Sequence, residues 1–373
     1  MPINKMEGKK DGKQKYRVRV NYTDDYGKPQ RMERIVYGLE EAKAVEAEIN
    51  YKVKSKSEIV KKMTVQQLYD EYIKNVKIDI RESTLDKKER MYELYIKEFL
   101  SSKTIDKLTV PLLQDWKLMI NDKGYALKTK QNIYGVLRAL LNYAFKMGHI
   151  PQNPLIKVGN FKNPSEIKKE MQYYTSEEFL TFIKPARESA YAGTLQDYGF
   201  YIFFMFAYYT GARKGEINAL RWCDIKDEEM CITRSVAQKL KGCDRITPPK
   251  NKSSIRNIQL PVPLLKELET YKAKCKELEG FNEECFVCGF DKSLRDTSIQ
   301  KRNERYAKSA DVKVIRIHDF RHSHASLLAN NGINIQEIAR RLGHSNIEMT
   351  LNTYSHLYPK EQERALDILN KIE

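Results

Sequence analysis

His318-Asp319-Phe320-Arg321-His322 opens the stretch on which the reading of this chain turns; Leu342-Gly343-His344-Ser345 and Thr350-Leu351-Asn352-Thr353-Tyr354 close it. The first motif sits where a helix should begin. Residues three apart on a helix share a face, so His318 and Arg321 can reach one ligand together. Asn331-Gly332 then supplies a helix stop. From Asn334 to Arg341 a short helix is predicted, with Ile335, Ile338, Ala339 and Leu342 on one face. His344 follows its end and Tyr354 comes ten residues later. Each has a bland reading. A histidine just past a helix often only caps it, because imidazolium suits the dipole. A tyrosine commonly packs, and a phenol of pKa about 10 is a poor nucleophile at pH 7.

Upstream, an apolar run from Phe200 to Tyr209 reads as a buried helix and leads into Thr210-Gly211-Ala212-Arg213-Lys214-Gly215-Glu216. Gly211 can end that helix and let another begin near Arg213. A guanidinium at a helix start beside a tight backbone suits phosphate. Thr247-Pro248-Pro249-Lys250-Asn251-Lys252 runs into the strand-like Ile258-Gln259-Leu260 and offers Lys250 as a mobile ammonium. Lys252, two residues on, projects to the same side of a strand and remains an alternative. Arg213, Lys250, His318, Arg321, His344 and Tyr354 together supply the parts that metal-free phosphodiester cleavage needs. These are cations for the developing charge, a proton donor for the leaving oxygen and a nucleophile.

Two rival readings fit parts of this set. His318 and His322 at i and i+4 come close to the His-Glu-x-x-His zinc pattern, but Asp319 stands where Glu is required and Arg321 would bring positive charge beside a dication. Ile335 to Leu342 passes for part of a helix-turn-helix regulator, which leaves Arg213 and Tyr354 without purpose. His322 and His324 read as structural.

The chain order Arg, Lys, His-x-x-Arg, His, Tyr, with Leu-Gly-His-Ser and Thr-x-x-x-Tyr in place, closely resembles the tyrosine recombinase family of phage and conjugative-transposon integrases. The resemblance implies that Arg213, Arg321 and His344 hold the scissile phosphate and that Lys250 protonates the departing 5′ oxygen. It implies that Tyr354 attacks to give a 3′-phosphotyrosine, with neither metal nor cofactor. Pro249 stands where the family usually has Thr. Clustered cations are expected to favour the phenolate, and a neutral His318 to take its proton. A type IB topoisomerase-like enzyme and a non-catalytic DNA-binding regulator remain the alternatives.

Composition agrees with a polyanionic partner. The 373 residues carry 66 Lys and Arg against 50 Asp and Glu, a formal charge of +16. No apolar run approaches the roughly 20 residues of a membrane-spanning helix. An N-terminus without an apolar signal core, and six cysteines at irregular spacing, point to the cytoplasm. Cys285-x-x-Cys288 lacks a matching second pair for zinc, and its neighbours Phe286, Val287 and Phe290 suggest a strand.

This length calls for two or three domains. Residues 14 to 37 alternate with period two about a turn at Asp24-Asp25-Tyr26-Gly27-Lys28-Pro29, predicting a hairpin, and Leu39 to Ile49 predicts a helix. Lys52 to Lys62 reads as a linker. Thr64-Val65-Gln66-Gln67 has the form of a capping box opening a helix to about Val76; further helices are predicted near Ser83 to Leu100, Val110 to Asn121 and Lys128 to Lys146. Thr175-Ser176-Glu177-Glu178 starts a third, mostly helical region, with strand-like pieces at Cys231 to Val236, Ile255 to Leu260 and Phe286 to Phe290. The expected fold is multidomain, mainly α with small β elements. By resemblance, residues 1–57 form an arm-type DNA-binding domain of small sheet plus helix, 58–160 a helical core-binding domain, and 171–373 the catalytic domain. A tail helix carrying Ala365, Ile368, Leu369 and Ile372 would pack on a neighbouring protomer, with folding back on its own domain as the alternative. The partners implied are double-stranded DNA at core and arm sites, a homo-tetramer on DNA, and a host DNA-bending protein and excisionase.

Overall fold

The computed structural model describes residues 3–10, 12–23, 29–56, 63–163, 171–237, 245–248, 252–357, 366 and 369–371. The chain forms two compact units, Met1–Glu166 and Ile167–Glu373.

The first unit begins with an antiparallel sheet in the order β1 (Ile3–Lys10), β2 (Lys13–Thr23), β3 (Pro29–Tyr37). Period-two alternation turns Val18 and Val20 inward, where they pack with Ala42 and Ile49 of helix α1 (Leu39–Lys56). Arg17 and Arg19 face the other way and pair with Glu33. β1 was not expected, because its sequence has almost no apolar alternation; it is held by its ladder to β2. Helix α1 also runs through Lys56, into the stretch read as a linker, since lysine is a good helix former. Residues 57–62 of that stretch lie outside the described residues.

A helical bundle follows, made of α2 (Val65–Val76), α3 (Glu82–Tyr95), α4 (Lys97–Leu100), α5 (Val110–Asp122), α6 (Leu127–Lys146) and α7 (Leu155–Val158). The capping box at its start is made in both directions: Gln67 N–H donates to Thr64 Oγ1, and Thr64 N–H to Gln67 Oε1. The single helix expected over 83–100 is broken at Ile96, whose φ of −114° departs from helical geometry. Ile133, Leu137, Leu140, Leu141 and Ala144 of α6 are all fully buried, against Trp116, Leu113 and Tyr92 among others. Burial of each large side chain contributes roughly 1.5–3 kcal/mol.

The second unit is built around α9 (Leu195–Thr210), which is buried on every side and therefore lacks the polar face of a surface helix. α8 (Ser176–Ala192), α11 (Val262–Lys276), α12 (Asp296–Ser309) and α13 (Asp319–Asn330) add side chains to the same core. Two small antiparallel sheets lie between α10 (Lys214–Ala219) and α11. One joins β4 (Ile225–Lys226), β5 (Glu229–Ile232) and β8 (Arg256–Gln259), and the other β6 (Ser235–Ala237) and β7 (Arg245–Thr247). The strand expected at Phe286 to Phe290 is instead a closed turn. Phe286 and Phe290 exchange both backbone hydrogen bonds, and Phe290 takes a positive φ of 60°. The unit continues through α14 (Ile335–Leu342) and α15 (Glu348–Tyr354). Of the proposed tail stripe, Ala365, Ile368 and Ile372 lie outside the described residues, and Leu369 is exposed. Among the described residues no helix is long and apolar enough to cross a membrane.

Candidate active site

Two helix ends organise this site. α9 stops at Gly211 in the left-handed conformation, φ 64°. A Cβ there would stand 2.8 Å from His324 Cδ2 and 2.9 Å from Leu342 Cδ2, so only glycine fits both the angle and the space. Arg213 then caps the start of α10. Its backbone N–H donates to Glu216 Oε2 at 2.9 Å and its Nη1 to Glu216 Oε1 at 2.8 Å. The second end is that of α14, which closes at Gly343, also left-handed at φ 68°.

The last carbonyls of a helix have no partner within it and carry the negative end of its dipole. At α14 three guanidiniums take three consecutive ones. Arg256 Nε donates to Arg341 O at 2.6 Å, Arg321 Nη2 to Leu342 O at 2.6 Å, and Arg213 Nη2 to Gly343 O at 3.4 Å. Arg321 also donates from Nη1 to Gly211 O at 2.9 Å, so it ties the ends of α9 and α14 together. Its burial, and then the charges of Arg213 and Arg256, bring its pKa down to about 9. Glu216, buried beneath the cluster, accepts from Arg213 and also from Arg256 Nη2 at 3.0 Å. Burial opposes ionisation of Glu216, yet the Arg256 and Arg213 charges and bonds hold its pKa below the usual carboxylate range.

His344 comes directly after the Gly343 cap. Its Nδ1 lies 2.7 Å from the buried Thr350 hydroxyl. When that hydroxyl donates, the imidazole proton is fixed on Nε2, free to be given elsewhere. Burial and the Arg321, Arg213 and Arg256 charges depress its pKa to about 4, so the ring is neutral at pH 7. His318 stands at the start of α13 with an open face to solvent; the protein around it, then His322 and Arg321, depress its pKa to about 4 as well.

Tyr354 ends α15 and is 1 % exposed. Its hydroxyl lies 2.6 Å from Nδ1 of His322, and it is the donor when the ring carries its hydrogen on Nε2. The expectation that cations lower its pKa does not hold here. Arg321 pulls it down, but burial is larger and Asp319 adds to it, so the value is pushed up to about 12.

The structure thus gathers Arg213, Arg321 and His344 at the end of α14, while α13 carries His318 and, through His322, meets Tyr354. Lys250 lies outside the described residues, as does the side chain of Lys252. His324, read as structural, is buried and bonds through Nδ1 to Tyr208 O at 2.9 Å.

A model of the phage integrase family matches residues 174–361, about half of the chain, and a model of the phage integrase N-terminal SAM-like domain matches residues 64–118. The chain belongs to the phage integrase family. It is a tyrosine-type site-specific recombinase. Among its relatives, the ICEBs1 integrase of Bacillus subtilis is 29% identical over 311 residues, covering 81% of each chain. A XerC-like tyrosine recombinase of Caldanaerobacter subterraneus is 28% identical over 97% of each. The fold is that of the Tn1549 transposon integrase solved with a circular intermediate DNA, at a TM-score of 0.65 and 23% identity over 82% of this chain and 99% of that one. It is also similar to the lambda integrase tetramer solved on a Holliday junction, at 0.56 and 19% over 91% and 92%.

In this integrase three residues around the cluster carry little signal in the sequence. Arg256 sits on strand β8, and nothing local to it announces a bond to a helix end 85 residues away. Thr350 gave no signal beyond its place near Tyr354. His322 does give one, since it lies four residues from His318 on the same helical face, a spacing that the zinc pattern shares.

Proposed function

We propose that this integrase cleaves and rejoins double-stranded DNA with Tyr354 as its nucleophile. The observation that carries the reading is the convergence of Arg213, Arg321 and His344 on the end of α14. Two guanidiniums and a neutral imidazole there can donate to the non-bridging oxygens of one phosphate, where charge grows as the fifth bond forms. His318 stands at the rim of the same group. Tyr354 Oη bonds to phosphorus as the bond to the 5′ oxygen breaks, leaving a 3′-phosphotyrosine; the 5′ oxygen takes a proton from Lys250, with Lys252 as the alternative donor. A 5′-hydroxyl from the partner duplex reverses the step, so the bond is conserved without a nucleotide cofactor or metal.

The rest of the molecule is assigned to DNA and assembly. Residues 1–57 act as an arm-binding domain, supported by the small sheet whose outer face carries Arg17 and Arg19. Residues 58–160 grip the core site, and 171–373 are catalytic. A homo-tetramer on DNA is the working assembly, in line with the lambda integrase tetramer. A host DNA-bending protein and an excisionase serve as accessory partners, and the cytoplasm is the place of action.

The test is a nicked duplex carrying the end of the encoding element, on which cleavage traps the protein covalently. Tyr354→Phe is expected to abolish the adduct and keep DNA binding; an adduct that persists removes Tyr354 from the chemistry. A plasmid bearing two sites should yield inverted or excised products, whereas relaxation alone would mark a topoisomerase-like enzyme.

A further inference from the structure

Tyr354 cannot attack as a phenol without losing its proton, and a pKa near 12 leaves almost none of it ionised at pH 7. Some group must therefore receive that proton. The hydroxyl already lies beside one: Oη is 2.6 Å from His322 Nδ1, a short contact from α15 to the first turn of α13. The two rings lie with centroids 5.8 Å apart, and His318 stands edge-on behind His322 with centroids 5.4 Å apart. His318 is thus nearer the solvent rim, with His322 next to the phenol.

We infer that His322, and not His318, is the catalytic base that takes the Tyr354 proton at strand cleavage, an assignment that rests on Tyr354 being the nucleophile. The electrons and atoms balance. As Oη bonds to phosphorus and phosphorus releases the 5′ oxygen, the phenolic proton moves to Nδ1 and gives an imidazolium, while the lysine proton goes to the 5′ oxygen. On rejoining, the incoming 5′-hydroxyl gives its proton to the lysine amine, and Nδ1 returns its own to Tyr354 as the bond between Oη and phosphorus breaks.

The surroundings suit this role in both protonation states. Facing His322 are His318, Asp319 and Arg321 of α13, Arg316 in the preceding loop, and Tyr354 of α15. Burial lowers its pKa; Asp319 opposes that shift, and Arg316 and Arg321 add to it, so the net direction is down, which favours the neutral ring. Asp319 is itself buried, with both oxygens engaged by Arg316, and its charge favours the imidazolium once that forms. A neutral ring that accepts through Nδ1 must carry its hydrogen on Nε2.

The experiment measures single-turnover adduct formation by the full chain, on a duplex copied from the end of the encoding element. The duplex carries either an ordinary phosphate or a 5′-bridging phosphorothiolate at the cleaved position. A sulfur leaving group departs without an acid, so it relieves loss of the lysine proton donor but not loss of the base. His322→Asn, whose side-chain oxygen can still accept from Tyr354 but cannot take a proton at neutral pH, is expected to slow cleavage by about 10²-fold on both substrates. DNA binding should be unchanged, and His318→Asn should keep whatever acid limb the wild-type pH profile shows. His322→Asn cleaving within about threefold of wild type, or rescued by sulfur, overturns the assignment. If that variant does not bind DNA, imidazole nitrogen shifts of the wild-type chain at pH 7 decide instead. A neutral His322 with its hydrogen on Nε2 supports the role, and a charged ring or one protonated on Nδ1 overturns it. Loss of the adduct in Tyr354→Phe alongside an unaffected His322→Asn would sink this inference alone; an adduct in Tyr354→Phe would sink the reading beneath it.

Discussion

Replacing Glu216 with Gln should unseat the arginine cluster without emptying space. Glu216 accepts three bonds, from Arg213 N–H, Arg213 Nη1 and Arg256 Nη2, and it is the one carboxylate paired with those two guanidiniums among the described residues. Its side chain is 3% exposed and that of Arg256 5%, whereas Arg213 is 37% exposed. The Arg213 pair, open to water, is worth about 0–1 kcal/mol. The Arg256 pair is buried, and removing one partner of such a pair costs about 3–5 kcal/mol because the remaining charge is left without its counter-ion. Gln keeps the volume and one acceptor but turns an N–H toward a guanidinium, so the expected loss is at the lower end, about 3 kcal/mol.

For a unit of this size that loss lowers the melting midpoint by roughly 6–12 °C, measurable by calorimetry on the full chain. The effect must also depend on pH. The folded pKa of Glu216 lies below its usual 4.5, so its stabilisation is fully present above that value and is lost as pH falls through the folded one. Wild type and Glu216→Gln should therefore differ at pH 7 and converge in acid. A midpoint change under about 2 °C at pH 7, or a gap that persists unchanged in acid, would refute the claim that this carboxylate holds the cluster.

Gly343→Ala puts a Cβ 2.9 Å from Arg256 Nη1 and 3.1 Å from its Cδ, at a residue with φ 68°. Strain of about 1–3 kcal/mol is expected together with loss of most adduct formation, read by the trapping assay and by thermal melting. Arg321→Lys keeps a charge but has no rigid fork to bond Gly211 O and Leu342 O together, so single-turnover cleavage should fall by about 10²–10³ with DNA binding nearly retained.

Helix ends were the legible part of this site. Gly211 and Asn331-Gly332 announced two of them, and the capping boxes at Thr64 and Thr175 announced two starts, because these devices are local and written in consecutive residues. What distant segments do to one another was not legible. Arg256 carries no local signal of its place, yet its side chain is buried and bonds to the end of α14. The phenol of Tyr354 was expected to be acidified by nearby cations, but charge counting along a sequence carries no information on burial, and burial is the larger effect here. The choice between His318 and His322 turned on which ring α15 would meet, a matter of how α13 and α15 dock rather than of spacing on either one.

On the proposed function, a helix end suits these arginines because of the phosphate they would bind. Guanidiniums gathered in one place repel one another, and the depressed pKa of Arg321 reports that cost together with the cost of burial. Carboxylates would relieve the repulsion, but each would also repel an incoming phosphate. The carbonyls of Arg341, Leu342 and Gly343 relieve it as neutral dipoles, which leaves the positive charge of the cluster available. With three guanidiniums against Glu216 alone, two positive charges among these side chains remain unmatched. A phosphate developing a second negative charge during attack is the complement of that surplus. The same geometry fixes each arginine before the substrate arrives, so little reorganisation is left for the moment of reaction.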